Sequence, residues 1–351
     1  PAIRPSDEAP RRSPDAVKKS RRIRRSRRCE PPSCSGQSAS PRQRLVRNTL
    51  VVGQLAMALT LLAAAGLMLR SFGELRRVQP GFDTRTLLVF DVSLPYNEYN
   101  KRSLALPFHQ ELQRRLRTLP GVVEVGSMGS VPLESFGTGC SVVFREKQPY
   151  GAGEQTPCVS TPTATPGVFE ALRMTVDGRT PTWGDVASRT QAVVVTKALA
   201  DRLWPGENAI GKGIGSNGHD SDVWYRVVGV ARDIKAEALD APNTEAVFYA
   251  ATGLRGDDDN GDLNDQAYLV RTNGIDPMSL LPAIRGAIGE LSSHVPVIAP
   301  RTMESVMQRS MARTTFLMVL LALSAGIALL LSAVGIYGVI SYIVTQRRSE
   351  I

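Results

Sequence analysis

The sequence predicts a membrane protein in which two transmembrane helices flank an α+β extracytoplasmic domain. Three observations carry this prediction. Residues 48–69, NTLVVGQLAMALTLLAAAGLML, hold no charged side chain, and neither do residues 316–345, FLMVLLALSAGIALLLSAVGIYGVISYIVT. Between them, residues 71–312 alternate short apolar runs with helix-period segments, separated by Gly and Pro turns. Basic residues flank the outer side of each apolar stretch, as the positive-inside rule requires of a cytoplasmic flank.

The formal charge of +9 belongs to one arm. Residues 1–47 hold fourteen Lys/Arg against four Asp/Glu, a net of +10, so the other residues together carry −1. RRIRRSRR (21–28) has the charge to contact anionic headgroups or RNA. A disordered cytoplasmic arm beside a membrane span accounts for the same charge, and nucleic acid is not expected as a partner. Cys29 and Cys34 lie in this arm without a histidine nearby, so they do not read as a zinc site.

The first span covers residues 48–70, and twenty-two apolar residues reach about 33 Å as helix, a hydrocarbon core's thickness. It is too long and too far into the chain for a signal peptide. Ala56, Thr60 and Ala64 recur every four residues and offer a surface for close helix packing. In the domain, LLVFDVSL (87–94) reads as a strand. A helix over 103–119 follows, with Leu104, Phe108, Leu112, Leu116 and Leu119 on one face, and then the strand VVEVGSMGSV. QAVVVT (191–196), KALADRLW (197–204) and VWYRVVGVARDI (223–234) repeat the strand–helix–strand order. AVFYA and QAYLVRT add strands, Asp276-Pro277 opens a helix through Leu291, and VPVI (295–298) closes the domain. Cys140 and Cys158 are placed to pair if this region is outside the cytoplasm, but spacing alone leaves the pairing open.

Thr302 is the predicted N-cap of one continuous helix, running from about Met303 through the second span, residues 313–345. Such a helix would pass motion of the domain directly into the membrane. Gly335, Gly338 and Ser341 give its far half a small face, and Tyr337 and Tyr342 fall at interfacial depth. Residues 346–351 then return to the cytoplasm.

Catalytic chemistry is not legible. His109, His219 and His294 are far apart, read as surface or turn residues, and none falls in a metalloprotease motif. No nucleophile elbow and no dinucleotide fingerprint occurs. DDDNGDLND (257–265) fails the EF-hand register and reads as a solvated acidic loop. No cofactor or metal is implied. GENAIGK matches G-x-x-x-x-G-K, but Lys212 is followed by Gly213 where Mg²⁺ needs Ser or Thr. A helical pattern precedes it instead of a strand, and it lies on the side opposite cytoplasmic ATP. It reads as a Pro-Gly turn.

Several stretches together resemble the MacB-like and FtsX-like permeases of ABC transporters. They are residues 45–95, LRTLPGVVEVGSMGSVPL (116–133), VVVTKALADRLWPGENAIGKGI (193–214), VVGVARDIK (227–235), RTME (301–304) and LLLSAVGIYGVISYIVTQRRSEI (329–351). WPGENAIGK matches that family's recurrent F/W-P-G-x-x-x-I-G-K turn. The resemblance implies a MacB-like periplasmic core domain and no enzyme activity in this chain. It implies a separate cytoplasmic ABC ATPase as partner, a second permease half or a homodimer, contact with membrane lipid, and residence in the cell inner membrane. Arg347, Arg348, Glu350 and Ile351 match the start of the family's ATPase-coupling segment. Two further spans usually follow, so the chain is expected to be one half of a larger permease. The topology also fits a two-span receptor whose external domain binds a ligand.

Overall fold

The computed structural model describes residues 41–348 except 76, 137–138, 148–149, 151–154, 189, 216–222 and 252–262. The chain divides into two units, 1–52 and 53–351; the described part of the first, 41–52, is helical. Helix α1 spans Pro41–Leu75. The domain follows with β1 (Leu87–Ser93), α2 (Arg102–Arg117), β2 (Val122–Met128), β3 (Ser141–Val142), β4 (Phe144–Arg145), β5 (Cys158–Val159) and β6 (Thr163–Ala164). Next come α3 (Val168–Ala171), β7 (Val176–Gly178), α4 (Trp183–Ala187), β8 (Ala192–Thr196), α5 (Lys197–Leu203), β9 (Gly213–Gly215), β10 (Tyr225–Ala231) and β11 (Val247–Ala250). The chain closes with β12 (Asp265–Thr272), α6 (Leu281–Leu291), β13 (Ile298–Thr302), α7 (Met303–Ser310) and α8 (Ala312–Arg348).

One mixed sheet organises the domain in the order β13-β1-β12-β2-β6-β11-β8-β10-β9-β4, with β7 on β10. Successive residues of a strand point to opposite faces, and here both faces of the central strands are covered. Leu87, Val89, Met128 and Leu269 join a core on the side of α3 and α7. Leu88, Phe90, Val92, Tyr268 and Val270 join another against α2 and α6. A third core around Val193, Val195, Val227 and Tyr249 packs under α5. Burial on both faces explains why these strands read as continuous apolar runs. Cys140 and Cys158 are joined in a disulfide that ties β3 to β5.

Four elements depart from the sequence expectation. The closing strand is β13, Ile298–Thr302, so VPVI contributes only Ile298; β1 offers its free edge to 298–302 instead. The helix after Asp276 starts as a 3-10 turn over Pro277–Leu280 before α6, with the Asp276 side chain accepting from the Met278 N–H. In α2, Leu104 is exposed while Phe108, Leu112 and Leu116 are buried. The helix expected to be continuous from Met303 is interrupted at Met311. There the Ser310 hydroxyl bonds back to the Met307 carbonyl at 2.8 Å, a local competitor of the helical ladder.

His109 is also corrected: it is fully buried rather than on the surface, whereas His294 is exposed. Its Nε2–H donates to the Leu263 carbonyl and Nδ1 accepts from the Tyr268 hydroxyl, each at 2.7 Å. Burial holds the imidazole at about 4, below its ordinary 6.5, and the Leu263 hydrogen bond opposes this only in part. Because the folded-state value is the lower one, stability is lost as pH falls from 6.5 towards 4. The loss is on the order of 3 kcal/mol. Thermal melts of the full chain are expected to show this decline, and His109→Gln, which keeps a donor and an acceptor, to flatten that pH window. His219 and most of the acidic loop lie outside the described residues.

Candidate force-transmitting junction

Two chain crossings connect the apolar helices to the domain, and a buried arginine holds each. The first crossing is the linker from α1 to β1. Leu75 and Val78 pack against the core that contains Phe82. Gly81 has φ +86°, and a Cβ there would stand 2.3 Å from the Asp233 carbonyl oxygen, so only glycine brings the linker this close. Asp83 accepts from Arg85 Nε at 3.1 Å and from Arg173 at 3.0 Å. Burial alone would raise its carboxyl, but the Arg85 hydrogen bonds and the charge of Arg271 hold it at about 2. Arg271, on β12, is among the largest fully buried side chains. Its guanidinium donates to the carbonyls of Ala171 at 2.7 Å, of Asp83 at 2.6 Å and of Arg85. Burial lowers it to about 10, so it stays charged at neutral pH.

The second crossing is β13 into α7. Its register against β1 slips between Val89 and Asp91, and Ala299 sits at φ +44° beside Pro300. Proline is tolerated here because β13 is an edge strand. The slip turns Arg301 inward, where it donates to Asp91 at 2.8 and 3.2 Å, to Glu134 at 2.9 Å and to the Ala299 carbonyl at 2.7 Å. Burial opposes the charge on Arg301, yet its bonds to Asp91 and Glu134 raise its pKa further. One residue later the Thr302 hydroxyl caps α7 by accepting from Ser305 N–H at 3.2 Å, as the sequence predicts. Met303 and Val306 are buried in the same core that receives Leu75, with Met307 and Met311 packed against it. Both crossings therefore grip one core.

Beyond the junction, Asn48–Leu75 and Thr315–Ser341 are long and apolar enough to cross a membrane, with mean hydropathies of 2.1 and 2.6. Only 11% of either apolar window is buried, far too little for core helices of a soluble protein. The covered positions include Gln54, Ala58, Leu61, Ala65 and Met68 on α1, and Met318, Leu321, Ala325, Ala328, Ser332, Gly335 and Val339 on α8. They alternate steps of three and four, so they fall on one stripe of each helix. Gln54 lies against Gly335, where a Cβ would come within 3.1 Å of its Oε1. Ala56, Thr60 and Ala64, spaced by four, drift off this stripe and are exposed. Gly338 and Ser341 are exposed too, leaving Gly335 as the part of that predicted face that packs.

Arg347 and Arg348 end α8, while Glu350 and Ile351 lie outside the described residues. The phosphate-loop match is a turn after α5, with φ of +73° at Gly206 and +86° at Gly211. Lys212 pairs with Glu207 and sits 5.6 Å from the centre of the Trp204 ring, so its charge is already engaged. Among the described residues, no cluster of three or more His, Cys, Asp or Glu is arranged to hold a metal ion. Sequence reading missed Arg271, Asp91 and Glu134. The visible signal was an arginine in QAYLVRT at the register of Ala267 and Leu269, which both point into the core.

The sequence profile of the MacB-like periplasmic core domain matches residues 49–286, more than half of the chain. The chain belongs to this family. No curated protein sequence matches it. Two solved structures to which the chain is similar are the periplasmic region of MacB from Actinobacillus actinomycetemcomitans and the extracellular domain of the noncanonic ABC-type transporter YknZ from Gram-positive bacteria. The first is 12% identical with a TM-score of 0.41, covering 65% of this chain and 94% of the other. The second is 16% identical with a TM-score of 0.38, covering 60% and 100%. For a MacB-like core domain, the clamped crossings lie where the periplasmic fold meets its apolar helices.

Proposed function

We propose that this chain is a permease subunit of an ABC transporter in the cell inner membrane. It carries motion between a separate cytoplasmic ATPase and its extracytoplasmic domain and performs no covalent chemistry itself. The observation that carries this reading is the pair of arginine clamps, which fasten both apolar helices to one core. A displacement of either helix then moves the domain as a body instead of bending a loose linker. The end of α8 and the residues after it receive the ATPase's motion, with Arg347, Arg348, Glu350 and Ile351 at the contact. Lipid covers much of the exposed surface of the spans, and a second permease half or a second copy covers the rest. The cargo is a lipid, lipoprotein, peptide or drug.

The test is charge reversal in the full protein with its partner ATPase. Arg348→Glu and Glu350→Lys are each expected to leave basal ATP hydrolysis in place while abolishing its coupling to transport. Unchanged coupling in both variants would overturn the assignment.

A further inference from the structure

Beside the first crossing lies a cleft of about 820 Å³, lined along one wall by Gln79–Phe82. Gln79 is four residues beyond the end of α1, a reach of at most about 14 Å. The headgroup layer itself extends roughly 5–8 Å past the hydrocarbon. Given that α1 spans the membrane, on which this inference rests, the cleft lies beside the headgroup layer of the adjacent leaflet, within about 14 Å of the end of α1.

Its lining sets Arg85, Arg173, Lys197 and Arg232 against Asp83, Asp177 and Asp233, a net of +1. Three guanidinium groups surround the single Asp83 carboxylate: Arg85 at 3.1 Å, Arg173 at 3.0 Å and Arg271 at 3.9 Å. Arg271 is buried and gives its donors to backbone carbonyls. The Arg85 and Arg173 side chains are 79% and 57% exposed. Arg232, also lining the cleft, has only a loose 3.9 Å contact with the exposed Asp177. Lys197 is matched by Asp201 at 2.5 Å and by the charge of Asp233. The excess cation thus resides on arginines, whose planar forks suit the paired oxygens of a phosphodiester.

We propose that this cleft binds the phosphodiester of an anionic phospholipid headgroup through Arg85, Arg173 and Arg232. The site ties the base of the domain to the bilayer next to the linker that Arg271 clamps. A lipid is favoured over a free anion because the cleft adjoins the end of a membrane span.

The test is thermal unfolding of the full chain in a neutral detergent, titrated separately with dihexanoyl phosphatidylglycerol, dihexanoyl phosphatidylcholine and inorganic phosphate. Phosphatidylglycerol is expected to raise the melting temperature saturably, with half-saturation about tenfold lower than for phosphatidylcholine, and phosphate to leave it unchanged. Arg173→Gln/Arg232→Gln is expected to weaken the phosphatidylglycerol response about tenfold. Arg232→Gln alone, which leaves the Asp83 cluster intact, is expected to weaken it about threefold. The basic arm is common to all variants, so the difference belongs to the cleft. Equal responses to the two lipids, or an unchanged response in Arg232→Gln, would overturn the proposal. A saturable rise with phosphate alone would give the site to a free anion and overturn the lipid assignment. Micelles report on the cleft whether or not α1 crosses a bilayer or an ATPase is coupled, so failure here is separable from failure of the transport reading.

Discussion

Arg271→Met is expected to lower the unfolding free energy of the core domain by about 3–5 kcal/mol, the largest single-residue effect this fold predicts. Methionine replaces the apolar stem of the arginine and removes only the guanidinium. What it leaves behind decides the magnitude. The carbonyls of Ala171, Asp83 and Arg85 lose their donor, the first in a buried bond and the other two in part-buried ones, and an orphaned buried group costs roughly 1–3 kcal/mol. Asp83 also loses a cation, though Arg85 and Arg173 still face it. Arg271→Lys keeps the charge but cannot reach three carbonyls with one ammonium, so an intermediate loss is expected. Denaturant unfolding of the full chain measures both. Limited proteolysis between residues 76 and 86 supplies the local readout, because a linker freed from its clamp is cut before the domain unfolds. A methionine variant within about 1 kcal/mol of the parent would show that the clamp is not what orders the linker.

Periodicity made much of this architecture legible and chemistry did not. The runs around Leu87, Val193 and Val270 became strands because nothing but a doubly covered sheet accommodates continuous apolar residues bounded by turns. The two spans were legible for the same reason, an unbroken absence of charge. Helix packing within the spans was not. Ala56-Thr60-Ala64 and Ala58-Ala65 are both small-residue series in an alanine-rich stretch, and only the 3.5-residue period of a paired helix selects the second. The break at Met311 was hidden because no Pro or Gly marks it, only a serine that bonds back to its own helix. His109 falls next to Phe108 on a half-apolar helix, and its burial depends on Tyr268, far along the sequence. The clamps share that difficulty. Arg271 reaches the linker across 186 and 188 positions, and Arg301 reaches Asp91 across 210. Such distances are set by strand order, which no local pattern encodes.

Arg301→Gln is expected to separate folding from transmission. Its carboxylate partners are each about one-third exposed, Asp91 at 36% and Glu134 at 34%, so solvent screens part of their loss. A stability cost of about 2–3 kcal/mol follows, leaving the domain folded. The mechanical consequence is larger. Arg301 is the residue before the Thr302 cap of α7, and its bond to the Ala299 carbonyl holds the slipped register that aims this helix at the core. Without it, α7 is held on the core mainly by the packing of Met303, Val306, Met307 and Met311. Methionines adapt to a shifted neighbour more readily than branched side chains do. Motion of α8 would then be absorbed in α7 instead of reaching β1. Hydrogen exchange is expected to rise across residues 303–310 while the amides of β12 stay protected, and coupling of ATP hydrolysis to transport to fall by about tenfold or more. Asp91→Asn and Glu134→Gln, each removing one of the two carboxylate anchors, are expected to fall between this variant and the parent in both readouts. Full coupling in Arg301→Gln together with raised exchange in α7 would mean that force enters through the first crossing only, and the role of the stalk would pass to α1 and its Arg271 clamp.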